Sequence, residues 1–177
     1  MYEKLAKYRL PYSYLIAAVS IAFAHKPVIY YGFILVAIGM ALRFWAAGYI
    51  HKNAEVSTGG PYALTRNPLY LGSFMGALGA FILGHEFWPL VFFVCTYVFF
   101  YGSLIRSEEK FLSSHYGDDF SKYKANVPVF LPRLIPYKSE STSSFSWAKA
   151  LDNKEHKYSA TAILVPILVL VVAYLRG

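Results

Sequence analysis

The sequence predicts an all-α protein that crosses a membrane about five times. Of its 177 residues, 56% are hydrophobic and only 15% are charged, against roughly 45–50% and about 25% in soluble domains. The hydrophobic residues gather in five runs, and several approach the roughly 17–25 residues that a spanning helix needs. We therefore expect one polytopic membrane domain over residues 1–177, with polar loops between its helices.

The apolar runs lie at about 11–24, 27–50, 69–84, 87–105 and 159–175. The first and third are short for a spanning helix. Gly84, His85 and Glu86 separate the third run from the fourth, which predicts a tight helical hairpin. Pro166 in the last run predicts a kinked helix rather than a missing span.

Small residues recur every four positions on the third run, at Gly72, Gly76 and Ala80. This spacing is typical of membrane helices that approach one another closely, so we interpret these residues as packing positions. The single cysteine, Cys95, lies inside an apolar run. Neither a disulfide framework nor a thiolate metal site is therefore predicted.

Basic residues predict the orientation of the chain. All of the 17 Lys and Arg except Lys26 and Arg176 lie at 1–10, Arg43, 51–68 or 106–158. This asymmetry predicts a cytoplasmic N-terminus, with both long polar stretches on the cytoplasmic face. The plasma membrane is the default location, because no organelle signal is recognised. The net charge of +7 has no nucleic-acid motif beside it, so anionic membrane lipids are the expected partners and nucleic acid is not.

The stretch GGPYALTRNPLYLG, residues 59–72, joins a turn to the third apolar run. Asn67 suits a helix N-cap and Pro68 suits the first helical position, so a helix should begin there. Its N-terminus, with Arg66 beside it, would form a receptor for a carboxylate or phosphate. The same residues also fit a capped helix whose arginine reaches the headgroups.

A second polar stretch, residues 106–134, follows the fourth run directly. It begins with Arg106, Glu108 and Glu109 and continues through His115. Adjacent helical residues point about 100° apart, so one glutamate at most should face a site squarely. The other should be solvated or paired with Arg106 or Lys110, and a charged helix end in water explains the whole pattern equally well.

Together the two stretches resemble the isoprenylcysteine carboxyl methyltransferase and phospholipid methyltransferase superfamily of membrane enzymes. The first is similar to its GPYxxxRHPxYxG signature. The second is similar to its EExxL, FGxxYxxY and VP pattern, through Glu108, Glu109, Leu112, Tyr116, Gly117, Phe120, Tyr123, Val127 and Pro128. The similarity covers about residues 39–134. A loop and the last helix, residues 135–177, follow it.

The resemblance implies a methyltransferase that uses S-adenosylmethionine and takes an isoprenoid or lipid-like acceptor from the bilayer. Cofactor contacts would come from Ala54, Glu55, Val56, Ser57, Tyr62, Asn67, Pro68, Leu69, Tyr70 and Glu108. Arg66, Arg106 and Glu109 are the predicted catalytic residues, and no metal site is implied. An arginine would neutralise an anionic acceptor. An amine acceptor would instead need Glu109 or His115 to remove a proton.

Asn67 departs from the family signature, which usually has His at this position. Asn cannot titrate near neutral pH, so a proton-transfer role is not expected there, while a cofactor-binding role remains. The departure also leaves a phospholipid or amine N-methyltransferase open. A sterol-reductase-like enzyme using a nicotinamide cofactor and a noncatalytic scaffold are the remaining alternatives. Residues 135–158 are predicted to be a loop, either a lid or a tether, with one short helix at Trp147–Leu151.

Overall fold

The computed structural model describes residues 7–50, 56–138, 144–153 and 155–176, and all regular structure in those ranges is helical. The predicted positions Ala54 and Glu55 lie outside the described residues. Six α-helices occur: α1 (Arg9–Phe23), α2 (Tyr31–Ala47), α3 (Pro68–Leu83), α4 (Phe87–Asn126), α5 (Trp147–Asp152) and α6 (Glu155–Leu175). A 3-10 helix, Gly60–Ala63, precedes α3. The all-α prediction is confirmed for the described part of the chain.

Each of the five predicted apolar runs lies mainly within one helix. Among the described residues, α4 is the one helix both long and apolar enough to cross a membrane, whereas α1, α2, α3 and residues 160–175 are apolar but shorter. At 1.5 Å per residue, the 15 to 17 residues of α1, α2 and α3 span about 23–26 Å, against a hydrocarbon core of about 30 Å. The five-span topology therefore stays a prediction.

Close packing of α2 on α3 depends on two pairs of glycines. A Cβ on Gly72 would lie 2.5 Å from the carbonyl oxygen of Gly39, and a Cβ on Gly79 would lie 2.5 Å from that of Gly32. Any side chain there would separate the helices. Gly72 thus packs as predicted, but the contact repeats every seven residues. The backbone nitrogen of Gly76 also lies against α2, 2.8 Å from a Cβ position on Gly39, but the Cβ position of Gly76 itself meets no atom of another helix within 4 Å.

Polar segments converge at one end of the bundle, which we call the polar end and define as residues 56–67, 106–137 and 144–153. Backbone hydrogen bonds join these segments to each other and to α2: Arg66 N–H donates to Pro128 O (2.9 Å), Tyr137 N–H to Ala63 O (2.9 Å) and Ser146 N–H to Gly48 O (3.1 Å). The two long polar stretches of the sequence are therefore on the same side of the helical bundle, as predicted.

The opposite end, which we call the far end, contains residues 24–30, the 84–86 turn and the end of α6. His25 N–H donates to Gly84 O (3.2 Å) and Ile29 N–H to Leu83 O (3.1 Å), while the phenols of Tyr30 and Tyr174 are 2.8 Å apart. Since α3 ends at Leu83 and α4 begins at Phe87, the predicted tight hairpin is confirmed.

Helix α4 extends 21 residues beyond the predicted apolar run, from 105 to 126. It is interrupted at Gly117, where φ is 48° and ψ is −118°, values that a residue without Cβ adopts at little cost. The part of α4 that follows Gly117 ends at Asn126, before Val127 and Pro128. The short helix predicted at Trp147–Leu151 is also present, and the Ser146 hydroxyl caps it by accepting from Lys149 N–H.

Candidate functional site

The two polar stretches meet through Arg66 and Glu109. The Arg66 Nε and Nη2 atoms lie 2.9 Å and 2.7 Å from Glu109 Oε1, and Lys124 Nζ lies 2.9 Å from Glu109 Oε2. The Arg66 and Glu109 side chains are only 11% and 13% exposed. We call Arg66, Glu109 and Lys124 the Glu109 cluster. It joins the segment before α3 to both sides of the Gly117 break.

Arg66 also donates from Nη1 to the carbonyl oxygens of Lys124 and Val127, both at 2.7 Å. The Arg66 guanidinium therefore binds neighbouring segments of the chain and is not presented to a ligand. The expectation that one glutamate would be solvated or paired with Arg106 or Lys110 is wrong. Glu109 pairs with Arg66 and Lys124, because the chain bends at Gly117 and returns Lys124 toward α4.

Glu108 points to a different partner. The Tyr70 hydroxyl donates to Glu108 Oε2 at 2.9 Å and accepts from Arg9 Nη1 at 3.0 Å. This relay connects α1, α3 and α4 at the polar end. The carbonyl oxygen of Tyr70 accepts a further hydrogen bond from the Tyr97 hydroxyl at 2.6 Å. Glu108 is therefore held next to the first turn of α3.

A cavity of about 350 Å³ begins beneath this relay and runs between α1, α2, α3, α4 and α6. On α3 it extends from Leu69 to Phe81, a distance of roughly 18 Å at 1.5 Å per residue. Most of the lining is apolar or aromatic. Arg9 and Arg43 are the charged residues among the described residues that line it. The cavity lining therefore combines two cationic side chains with a mostly apolar surface.

Sequence reasoning used Arg43 only to assign orientation and missed its place in the cavity wall. Arg43 Nη1 donates to Leu69 O at 3.2 Å and also to the Ser73 hydroxyl, which itself donates to Leu69 O at 3.0 Å. A signal was available, since an ionisable residue within an apolar run is a functional candidate by default. Arg9 carried no such signal, because it lies in a basic N-terminal segment.

Asn67 occupies the N-cap position and Pro68 the first helical position, as predicted. The Asn67 side chain makes no capping hydrogen bond, however, and its amide instead donates to Val129 O at 2.9 Å. The predicted capping hydrogen bond is absent because donation from Nδ2 to Val129 O fixes the amide in an orientation in which its oxygen accepts from no N–H group of α3. Pro68 is buried and Leu69 lines the cavity, so the start of α3 lies between the Glu109 cluster and the cavity.

Three further predicted cofactor residues lie around this helix start. Val56 packs against the buried cluster of Phe120, Tyr123 and Val127. Tyr62 O accepts from the Tyr123 hydroxyl at 2.8 Å. Ser57 is partly buried. These residues belong to the polar end.

Arg106 and His115 are not brought to the cavity. Arg106 is exposed on α4, one position from buried Ile105 and therefore turned about 100° away from the packed face. His115 is also exposed, and its ring lies 4.0 Å from that of Phe111. Neither side chain faces Glu108.

The loop predicted to be a lid or a tether is attached to the end of α2. Phe145 packs over Gly48, where a Cβ would lie 2.2 Å from the ring, and Asn153 Nδ2 donates to Ala47 O at 2.9 Å. Asn153 also lines the cavity, together with Ile50 and Thr161. Asn153 of this loop is thus part of the cavity wall.

Residues 33–119 match the family model described as phospholipid methyltransferase. The chain is 34% identical over 113 residues to the cobalt-zinc-cadmium resistance protein CzcN of Cupriavidus metallidurans, covering 63% of this chain and 52% of that protein. It is 35% identical over 102 residues to the nickel-cobalt-cadmium resistance protein NccN of Alcaligenes xylosoxydans xylosoxydans, covering 56% and 47%. No solved structure matches the chain significantly.

The chain is also 33% identical over 102 residues to a protein-S-isoprenylcysteine O-methyltransferase of Schizosaccharomyces pombe, covering 58% of this chain and 43% of that enzyme. It thus spans about half the length of the curated relatives it matches. Two of them are named for metal resistance. Within the described residues, no group of three or more His, Cys, Asp or Glu is placed to hold a metal ion.

Proposed function

We propose that the protein is a membrane methyltransferase of the isoprenylcysteine and phospholipid methyltransferase superfamily and that it uses S-adenosylmethionine; the family match over residues 33–119 and the isoprenylcysteine O-methyltransferase relatives support this. The structural observation that supports it most is the hydrogen bond from Tyr70, which lines the cavity, to Glu108. This bond joins the two motifs beside the cavity. In this proposal the apolar helices lie in the bilayer and the polar end faces the cytoplasm.

The residues at the start of α3 fit the donor in charge. S-adenosylmethionine, when bound, supplies a methyl group on a sulfonium together with a carboxylate and an ammonium. Glu108 would pair with the ammonium, held in place by the Tyr70 hydroxyl. The positive end of α3 beside it would favour the carboxylate. Asn67 keeps its side-chain oxygen as an acceptor, since its amide nitrogen already donates to Val129.

The acceptor would lie in the cavity with its polar end near Arg43 or Arg9. These two arginines line the cavity, so one of them takes the anion-neutralising role predicted for Arg66 or Arg106. A carboxylate or thiolate needs no base, and alignment with exclusion of water provides most of the rate. An amine acceptor fits less well, because Glu109 is already paired with two cations and His115 faces away.

The size of the cavity favours an acceptor with one chain. At about 30 Å³ for each water-sized group, 350 Å³ accommodates roughly a dozen CH₂-sized groups. A single isoprenoid chain of about 10 to 15 carbon atoms is close to this capacity, whereas the two acyl chains of a phospholipid, about 30 carbon atoms together, exceed it more than twofold. We therefore propose an isoprenoid acceptor with an acidic head, such as an isoprenylcysteine, over phosphatidylethanolamine.

Ligand-dependent melting of the purified protein in nanodiscs tests the proposal. S-adenosylhomocysteine at one hundred times its Kd should stabilise the fold by about 2.7 kcal/mol, whereas NADPH should give no shift. Glu108→Gln should remove most of the shift, and Asp118→Asn, which changes an exposed carboxylate on the same helix, should retain it. Stabilisation by NADPH alone would instead indicate a reductase, and no shift with either ligand would favour a scaffold.

Label transfer from radioactive S-adenosylmethionine identifies the acceptor. We expect incorporation into N-acetyl-S-farnesylcysteine that base hydrolysis releases, as a methyl ester requires. Incorporation into phosphatidylethanolamine alone would contradict the proposed acceptor while leaving the cofactor assignment intact. The same reaction with Arg43→Met should lose about 100-fold in kcat/KM, because the anionic head loses a buried cationic partner.

A further inference from the structure

Gly76 differs from the other glycines of α3 in what surrounds it. Gly72 and Gly79 meet backbone atoms of α2 within 3 Å of a Cβ position, but the Cβ position of Gly76 has nothing within 4 Å. Gly76 also lines the cavity. The close packing of α2 on α3 therefore does not require the absence of a Cβ at this position. That absence leaves open space in the cavity wall.

The position of Gly76 along α3 is central to the cavity. It lies one turn beyond Gly72 and three residues beyond Ser73, the partner of Arg43. Ala80 and Phe81 continue the lining one turn further, where buried Phe93 contributes from α4. An acceptor held at Arg43 with its chain directed toward Phe81 must pass Gly76.

We propose that Gly76 sets the maximum length of the acceptor chain, an inference that rests on the proposed function. A leucine side chain at this position adds four carbon atoms to a space that accommodates roughly a dozen CH₂-sized groups. Because the surrounding helices are closely packed, that volume is taken from the ligand. Chains that end before Gly76 are unaffected, and chains that extend beyond it are excluded.

Gly102 on α4 provides a matched control. Its Cβ position also has nothing within 4 Å, but it does not line the cavity. Gly76→Leu and Gly102→Leu both replace a helical glycine by a strong helix former, so both gain the same intrinsic helix propensity. They differ in whether the new side chain enters the cavity.

The experiment compares three acceptors that each differ by one isoprene unit: the geranyl, farnesyl and geranylgeranyl thioethers of N-acetylcysteine. In Gly76→Leu, the ratio of kcat/KM for geranyl over geranylgeranyl should rise at least about tenfold above the wild-type ratio, since each CH₂ denied burial weakens binding several-fold. Gly102→Leu should keep the wild-type ratio within about twofold. Melting shifts with the same compounds, measured without the methyl donor, should follow the same order.

Each outcome separates the two proposals. Methyl transfer by the wild type with an unchanged length profile in Gly76→Leu overturns the role of Gly76 and leaves the enzyme assignment standing. If the wild type transfers no methyl group, but its melting shifts depend on the length of the acceptor chain and Gly76→Leu changes that dependence, only the proposed activity is overturned. If Gly76→Leu does not fold, Gly76→Ala takes its place, and an unchanged profile there would also overturn the inference.

Discussion

The two ends of the helical bundle hold their buried carboxylates in opposite ways. At the polar end, Glu109 is paired with Arg66 and Lys124, and Glu108 accepts from Tyr70. At the far end, Glu86 is 3% exposed, and neither of its carboxyl oxygens has a hydrogen-bond partner among the described residues. Burial raises the pKa of Glu86 from its ordinary 4.5 to about 8.

Charged side chains therefore have different structural roles at the two ends of the bundle. Each carboxylate at the polar end has a partner from another part of the chain, and the pairing brings distant segments together. An isolated acid avoids the cost of a buried charge by keeping its proton. Ionic interactions therefore assemble the candidate site, whereas the hairpin opposite is held by apolar packing of Leu83, Val169 and Ala173.

Removal of the Glu109 cluster should have the largest effect on the polar end. Arg66→Met leaves a mostly buried carboxylate with Lys124 alone and two carbonyls without their donor. We expect a loss of about 3 kcal/mol in the free energy of unfolding and a fall in Tm of about 10 °C. Differential scanning fluorimetry in nanodiscs measures both this variant and its control.

Arg106→Met is the matched control, because it removes an exposed guanidinium from the same end. Its Tm should stay within about 2 °C of the wild type. Equal losses in the two variants would mean that ion pairing does not hold the polar end together. Rescue of Arg66→Met by Glu109→Met in the double variant would confirm that the uncompensated carboxylate causes the loss.

The Tyr70 relay should have an intermediate effect, and on binding rather than on stability. Tyr70→Phe keeps the ring and the carbonyl that accepts from Tyr97, but removes the hydroxyl between Arg9 and Glu108. We expect S-adenosylhomocysteine to bind about tenfold more weakly, since Glu108 loses the group that orients it. Isothermal titration calorimetry should show this loss, and Tyr14→Phe, an exposed position on α1, should not.

The helices and the meeting of the two motifs could be predicted from the sequence, because both depend on local signals. Apolar runs give the helix positions, Pro68 gives the start of α3, and the hairpin follows from a turn too short for any other connection. The sequence predicted that Glu108 and Glu109 have different partners, because their side chains point about 100° apart. It did not predict that Lys124 pairs with Glu109, because this pairing depends on how the chain turns at Gly117.

The cavity could not be predicted, because it depends on contacts distant in the sequence. Arg9 and Arg43 reach one space only because the glycine pairs bring α2 and α3 close and α1 packs beside them. Gly72 and Gly76 share one spacing pattern yet face different surroundings. A repeat of small residues fixes how closely two helices can approach. It does not fix at which of these residues the Cβ position meets the neighbouring helix.

Glu86→Gln at the far end should have the smallest effect, and one that depends on pH. Above pH 4.5 the unfolded chain releases the Glu86 proton, whereas the folded protein keeps it until about pH 8. Wild-type stability contributed by this proton is therefore complete below pH 4.5 and is lost progressively as the pH rises to about 8. The glutamine variant, which does not titrate, should show no such decline.

Relaxation of the hairpin around the charge reduces the cost of ionisation, so we expect Glu86→Gln to be about 1 kcal/mol more stable than the wild type at pH 7. The gap in Tm should be about 3 °C there, smaller at pH 5 and larger at pH 8.5. Asp119→Asn, an exposed position, should follow the wild type at every pH. A gap that stays constant from pH 5 to pH 9 would show that Glu86 is ionised throughout, which would mean that the far end supplies a partner for it after all.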